Sequence, residues 1–104
     1  MRILLVEDDE PLSAALSSSL RGANYVVDCV YRGKEALAML TAEQTDIVIL
    51  DLGLPDMDGY QLATKIKATL VDLSPLIVGL TAHATLNKPN NNHIDSMFTK
   101  PLTY

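Results

Sequence analysis

Two uninterrupted apolar runs, Ile3 to Val6 and Ile47 to Leu50, each stop abruptly at carboxylates: Glu7-Asp8-Asp9 after the first and Asp51 after the second. A strand that is apolar at every residue, not at alternate ones, has to be covered on both faces, as a central strand of a parallel sheet is. The segments between the runs supply the covers. Pro11 suits a first helical turn, Leu12, Ala15, Leu16 and Leu20 recur at helical spacing, and Gly22 is placed to end that helix. Tyr25 to Val30 reads as a second strand, and Lys34 to Leu40 as a short helix with Ala36, Leu37 and Leu40 facing inward. Asp58 and Gly59 lead into a helix whose buried stripe is Leu62, Ile66 and Leu70. Leu76 to Leu80 is a fourth strand ending at Thr81. The order βαβαβαβ, wound by right-handed crossovers, predicts an α/β fold, a doubly wound open parallel sheet with helices on both faces.

The remainder behaves differently. Residues 86–93, Leu-Asn-Lys-Pro-Asn-Asn-Asn-His, join a proline to poor helix formers, so a loop is expected there, followed by a short fifth strand at Met97 to Thr99. The 104 residues suffice for one domain, 1–104, and one modest core. A net charge of -5 argues against direct nucleic-acid binding, and the lone Cys29 excludes an internal disulfide and fits a reduced, cytoplasmic setting. No apolar run approaches the length of a membrane span, and the opening Met-Arg-Ile-Leu-Leu-Val is too short for a signal peptide.

In an open parallel sheet, ligands bind beyond the carboxyl ends of the strands. Glu7 and Asp8 follow the first strand, Asp51 the third, Thr81 the fourth and Lys100 the fifth, so the fold would gather them at one edge. Three carboxylates in one cleft repel each other unless a cation holds them, and oxygen ligands with room for water suit Mg²⁺. Such a site lets a weak carboxylate nucleophile accept a phosphoryl group, because positioning and charge neutralisation dominate that chemistry. The metal and Lys100 would offset charge on the phosphoryl oxygens, and the Thr81 hydroxyl would donate to one of them. Taken singly, the same residues have plainer readings. Asp51 is also a turn or N-cap aspartate, Glu7-Asp8-Asp9 a cap on the first helix, and Thr81 an ordinary strand-end hydroxyl. Asp9 by itself reads as that cap, and Pro55 and Gly59 as turn formers.

Four segments, Val6-Glu7-Asp8, Asp51-Leu52-Gly53-Leu54-Pro55-Asp56-Met57-Asp58-Gly59, Leu80-Thr81-Ala82 and Lys100-Pro101, together resemble the response-regulator receiver family of two-component signalling. The resemblance covers residues 1 to about 85 and resumes near 94. It implies a flavodoxin-like receiver fold with Asp51 as phosphoacceptor. It further implies Mg²⁺ bound directly by Asp8 and Asp51, with the Gly53 backbone carbonyl as third protein ligand and Glu7 acting mainly through water. Thr81 would be the switch hydroxyl, and Lys100 the cation before a cis peptide at Pro101. The implied donor is a phosphohistidine on a sensor histidine kinase or histidine phosphotransfer protein. The domain would promote its own phosphorylation and dephosphorylation without being a turnover enzyme.

The pattern also breaks. Pro89-Asn90-Asn91-Asn92 falls where the fourth helix belongs, which makes that helix degenerate, and the fifth helix is missing, as in a C-terminally truncated receiver. Met97 stands where many receivers carry a switch aromatic, and Phe98 is expected to point into the core. Without a last helix one sheet face would expose apolar surface, to be covered by a partner or by a second copy in a homodimer. His83 is either an exposed loop histidine or a group set over the phosphoryl site. Two other classes fit less well. A haloacid-dehalogenase-type phosphohydrolase needs an acid/base aspartate two residues after the nucleophile, where this chain has Gly53. A flavodoxin-like cofactor binder needs phosphate-binding groups in the first turn, which here is acidic. A degenerate receiver, serving as an interaction module or phosphate sink without conformational output, is the nearer alternative.

Overall fold

The computed structural model describes residues 1–82 and 93–100. Their order is β1 (Arg2–Val6), α1 (Glu10–Gly22), β2 (Val26–Val30), α2 (Gly33–Ala42), β3 (Ile47–Asp51), α3 (Gly59–Thr69), β4 (Leu76–Thr81) and β5 (Ser96–Thr99). The five strands form one parallel sheet in the order β2-β1-β3-β4-β5. This is the doubly wound open parallel sheet expected from the apolar runs.

The runs are continuous because each central strand feeds two cores. Leu4, Val6, Val48, Leu50 and Ile77 pack on one face with Ala36 and Leu40 of α2 and Leu62, Ala63 and Ile66 of α3. Ile3, Leu5 and Val27 face the other way, against Leu16 and Leu20 of α1, with Cys29 beside them. Strand order reverses between β1 and β3, which opens a crevice at the carboxyl ends of these neighbours.

Local chemistry sets the ends of α1. Asp9 is its N-cap, accepting from Leu12 N at 3.1 Å, and Pro11 lies in the first turn. Gly22 is the last residue of the helix, as its placement suggested. The left-handed position falls to Asn24, φ 73°, and the chain closes by Asn24 N to Arg21 O (3.0 Å) and Tyr25 N to Leu20 O (3.2 Å). That is a Schellman closure, which asparagine tolerates because its short side chain lowers the cost of positive φ.

Phe98 corrects the sequence reading. It is 60% exposed and in register with Leu80, on the sheet face shared with α1. Half-buried Met97, in register with Gly79, takes the opposite face. Alternation along β5 therefore turns Phe98 away from the α2/α3 core, into a groove with Ile47, Ile49, Val78 and Leu80 that Leu16 and Leu20 of α1 flank. The loop expected over residues 86–93, and with it the degenerate fourth helix, falls outside the described residues except for His93. His83 and Pro101 lie outside them as well. No helix among the described residues is long and apolar enough to cross a membrane.

Candidate functional site

β1 and β3 are adjacent and in register at Val6 and Leu50, so the residues that follow, Glu7 and Asp51, emerge side by side. The carboxylates of Glu7, Asp8 and Asp51 each offer an oxygen, all within 4.8 Å of one another, the one such cluster among the described residues. Glu7 is fully buried, Asp51 nearly so, and Asp8 exposed. Backbone bonds fix the frame: Glu7 N donates to Val30 O at 3.1 Å, and Gly53 N donates to Asp51 Oδ1 at 3.0 Å.

Lys100 closes the cluster from the far side of the sheet. Its backbone N donates to Thr81 O at 2.7 Å, extending the β4–β5 ladder by one residue. Its Nζ lies 2.9 Å from Glu7 Oε1 and 3.2 Å from Asp51 Oδ2. The Glu7 contact is an ion pair without the angle of a well-directed hydrogen bond. Glu7 Oε2 also accepts from Asp9 N at 3.1 Å, which ties the acid to the start of α1.

The electrostatics follow from three carboxylates facing one ammonium. Burial pushes the Glu7 carboxyl up to about 7, against the pull of Lys100 and the Asp9 N–H. Burial acts the same way on Asp51 but is outweighed by hydrogen bonds with Asp8 and the Gly53 N–H and by the charge of Lys100, so Asp51 stays below its ordinary value. For Lys100, burial is overcome by Glu7 and Asp51, and its pKa rises. With one ammonium against three carboxylates, two negative charges remain, and the donors are all oxygen. The cluster thus fits a hard divalent cation such as Mg²⁺.

A cleft of about 510 Å³ opens above the cluster, lined by Asp8, Asp51, Gly53, Thr81 and Lys100 among others. Of the residues assigned to the metal and phosphoryl site from the sequence, Asp8, Asp51, Gly53, Thr81 and Lys100 border it, and Glu7 lies buried beneath. Tyr60 also lines it and was not anticipated. Its signal was its place in the first turn of α3, directly after Gly59, at the same edge of the sheet.

The raised Glu7 carboxyl gives a pH test on the metal-free protein. Folding lifts this group from 4.5 to about 7, so the folded form binds the extra proton between those values. The Glu7 contribution is therefore full below pH 4.5 and is lost as pH rises through 7, by an amount on the order of 1–3 kcal/mol. In EDTA, wild type should lose stability relative to Glu7→Gln as pH is raised through this window, and Mg²⁺ should flatten the difference. Parallel curves for the two proteins in urea denaturation would contradict this account.

The response regulator receiver domain family matches residues 3–103. Response regulator MprA of Mycobacterium avium (strain 104) is 35% identical over 88 residues, which are 85% of this chain and 38% of that protein, so the chain spans well under half the length of such relatives. The crystal structure of response regulator TrrA from Thermotoga maritima in complex with Mg²⁺-BeF superposes with a TM-score of 0.87 at 28% identity, covering 98% of this chain and 88% of that one. TrrA in complex with histidine kinase ThkA gives 0.86 at 28% identity, over 99% and 88%.

Proposed function

Since the chain belongs to the response regulator receiver domain family of two-component signalling, we propose that it takes a phosphoryl group onto Asp51 with Mg²⁺ bound at Glu7, Asp8 and Asp51. The observation that carries this reading is the meeting of three carboxylates with Lys100 at the carboxyl edge of the sheet. The family is one of signalling domains, not of turnover enzymes. The donor is a phosphohistidine on a sensor histidine kinase or a histidine phosphotransfer protein, a reading supported by the likeness to a regulator solved on its kinase.

In the reaction an Asp51 carboxylate oxygen forms the new O–P bond while the donor's N–P bond breaks, and the electron pair leaves with the imidazole nitrogen. The Gly53 N–H holds one Asp51 oxygen at 3.0 Å, which fixes the orientation of the carboxylate. Lys100 pairs with Asp51 before transfer and offsets charge on the phosphoryl oxygens after it. Thr81, at the rim of the cleft, offers a hydroxyl to one of those oxygens. Asp8 and Asp51, with the Gly53 carbonyl and with Glu7 beneath, would hold the metal. Bound Mg²⁺ supplies charge neutralisation and a fixed template for the phosphoryl oxygens.

Incubation with acetyl phosphate, followed by intact mass, tests the proposal without the cognate kinase. A single phosphoryl-sized gain is expected in MgCl₂ and none in EDTA. No gain in either condition would leave the chain a binding module.

A further inference from the structure

The segment between β3 and α3, residues 52–58, carries Gly53 at the cleft, and its far end is fastened to another helix. Asp56 Oδ1 accepts from Gly33 N at 2.9 Å, and Oδ2 accepts from Lys34 N at 3.3 Å. A carboxylate 22 and 23 residues downstream of these amides therefore caps α2. The helix has no cap of its own: Arg32 occupies the N-cap position and its side chain makes no capping bond. The Gly33 and Lys34 amides hold the Asp56 carboxyl below its ordinary value, so the cap is ionised at neutral pH.

Packing closes the same joint. Met57 lies over Gly33 so tightly that a Cβ there would meet Met57 Cγ at 2.6 Å and Sδ at 2.7 Å. At its other end the segment is held by Leu52 N to Leu80 O at 2.9 Å and by Leu54, which is buried in the α2/α3 core. Gly53 is exposed between these anchors, so its direction is set by how both ends of the segment are pinned.

We propose that Asp56 is a positioning residue for the metal: by tying the 52–58 segment to the N-terminus of α2, it holds the Gly53 carbonyl toward the Glu7-Asp8-Asp51 cluster. The inference rests on the reading of that cluster as a Mg²⁺ site. An untied segment would have to be ordered each time the metal binds, and affinity would fall without loss of any carboxylate ligand.

The test separates the tie from the cap. Wild type, Asp56→Ala, Asp56→Asn and the double variant Arg32→Ser/Asp56→Ala are titrated with MgCl₂ by amide chemical shifts, and their metal-free thermal midpoints are measured. Asp56→Ala should lower the midpoint and weaken Mg²⁺ binding about tenfold, the lower end for loss of an outer-shell support. Asp56→Asn, which keeps one acceptor oxygen, should fall between. Arg32→Ser gives α2 a local cap with no link to the segment, so the double variant should regain its midpoint while Mg²⁺ binding stays weak. Recovery of Mg²⁺ affinity together with stability, or wild-type affinity in Asp56→Ala, would overturn the positioning role alone. Failure of wild type itself to bind Mg²⁺ would overturn the reading of the site and this inference with it.

Discussion

Asp51→Asn is expected to take up no phosphoryl group from acetyl phosphate under conditions that load wild type, while folding as stably as wild type or more so. The carboxamide keeps the shape of the side chain and an oxygen for the Gly53 N–H, 3.0 Å away in the native protein. It lacks the anionic oxygen that forms the O–P bond, so uptake should drop to background. Removing one of three carboxylates leaves Glu7 and Asp8 with Lys100, which takes away the repulsion that Asp51 adds to the desolvation of Glu7. The same change removes a ligand, and Mg²⁺ affinity should fall at least about tenfold. Intact mass, the thermal midpoint and a Mg²⁺ titration read these effects separately. A phosphoryl gain equal to wild type would place the acceptor on another residue, and a collapsed midpoint would mean that the Asp51 charge supports the fold.

The largest effect on stability should come from Gly59→Ala. A Cβ at Gly59 would lie 2.6 Å from Leu52 Cα and 2.8 Å from Asp51 O, well inside normal contact and against backbone that no rotamer change can move. The first turn of α3 would have to back away from the end of β3, the strand that carries Asp51. Overpacking of this kind costs about 1–3 kcal/mol, and in a domain of this size the midpoint should fall on the order of 10 °C. Gly22→Ala is the matched control. A Cβ there meets nothing within 4 Å, and an alanine in the last turn of α1 should raise the midpoint by a few degrees. If Gly59→Ala melts with wild type, the close approach of α3 to β3 is not a constraint.

The architecture was legible because its signals are local and redundant. Ile3 to Val6 and Ile47 to Leu50 had to be two-sided strands, and the acids that end them had to lie at one edge once the sheet was parallel. Asp9 was readable as a cap because the backbone it serves is three residues away. Asp56 was not, because the amides it caps belong to a helix reached only through the fold. Phe98 was misplaced for a related reason. In a four-residue edge strand the two faces differ by one position, and register against β4 decides which is which. Gly22 ends the helix as read, but the left-handed position that closes the turn falls two residues later, at Asn24, where no local pattern marked it.

The acids and their cation are carried by strands of unequal permanence. Glu7 and Asp51 extend from β1 and β3, each paired on both sides, whereas Lys100 follows β5, an edge strand of four residues paired with β4 alone. Asp95 pins the near end of that strand, accepting from Ile77 N at 2.8 Å through Oδ2 and donating its own N to Ile77 O at 2.8 Å. At the other end, Lys100 N donates to Thr81 O at 2.7 Å. Edge segments open at a fraction of the free energy of global unfolding. Each fraying event would take the ammonium away while both carboxylates stay in place, so the charge state of the site keeps the time of amide exchange at one strand end, not that of the whole domain.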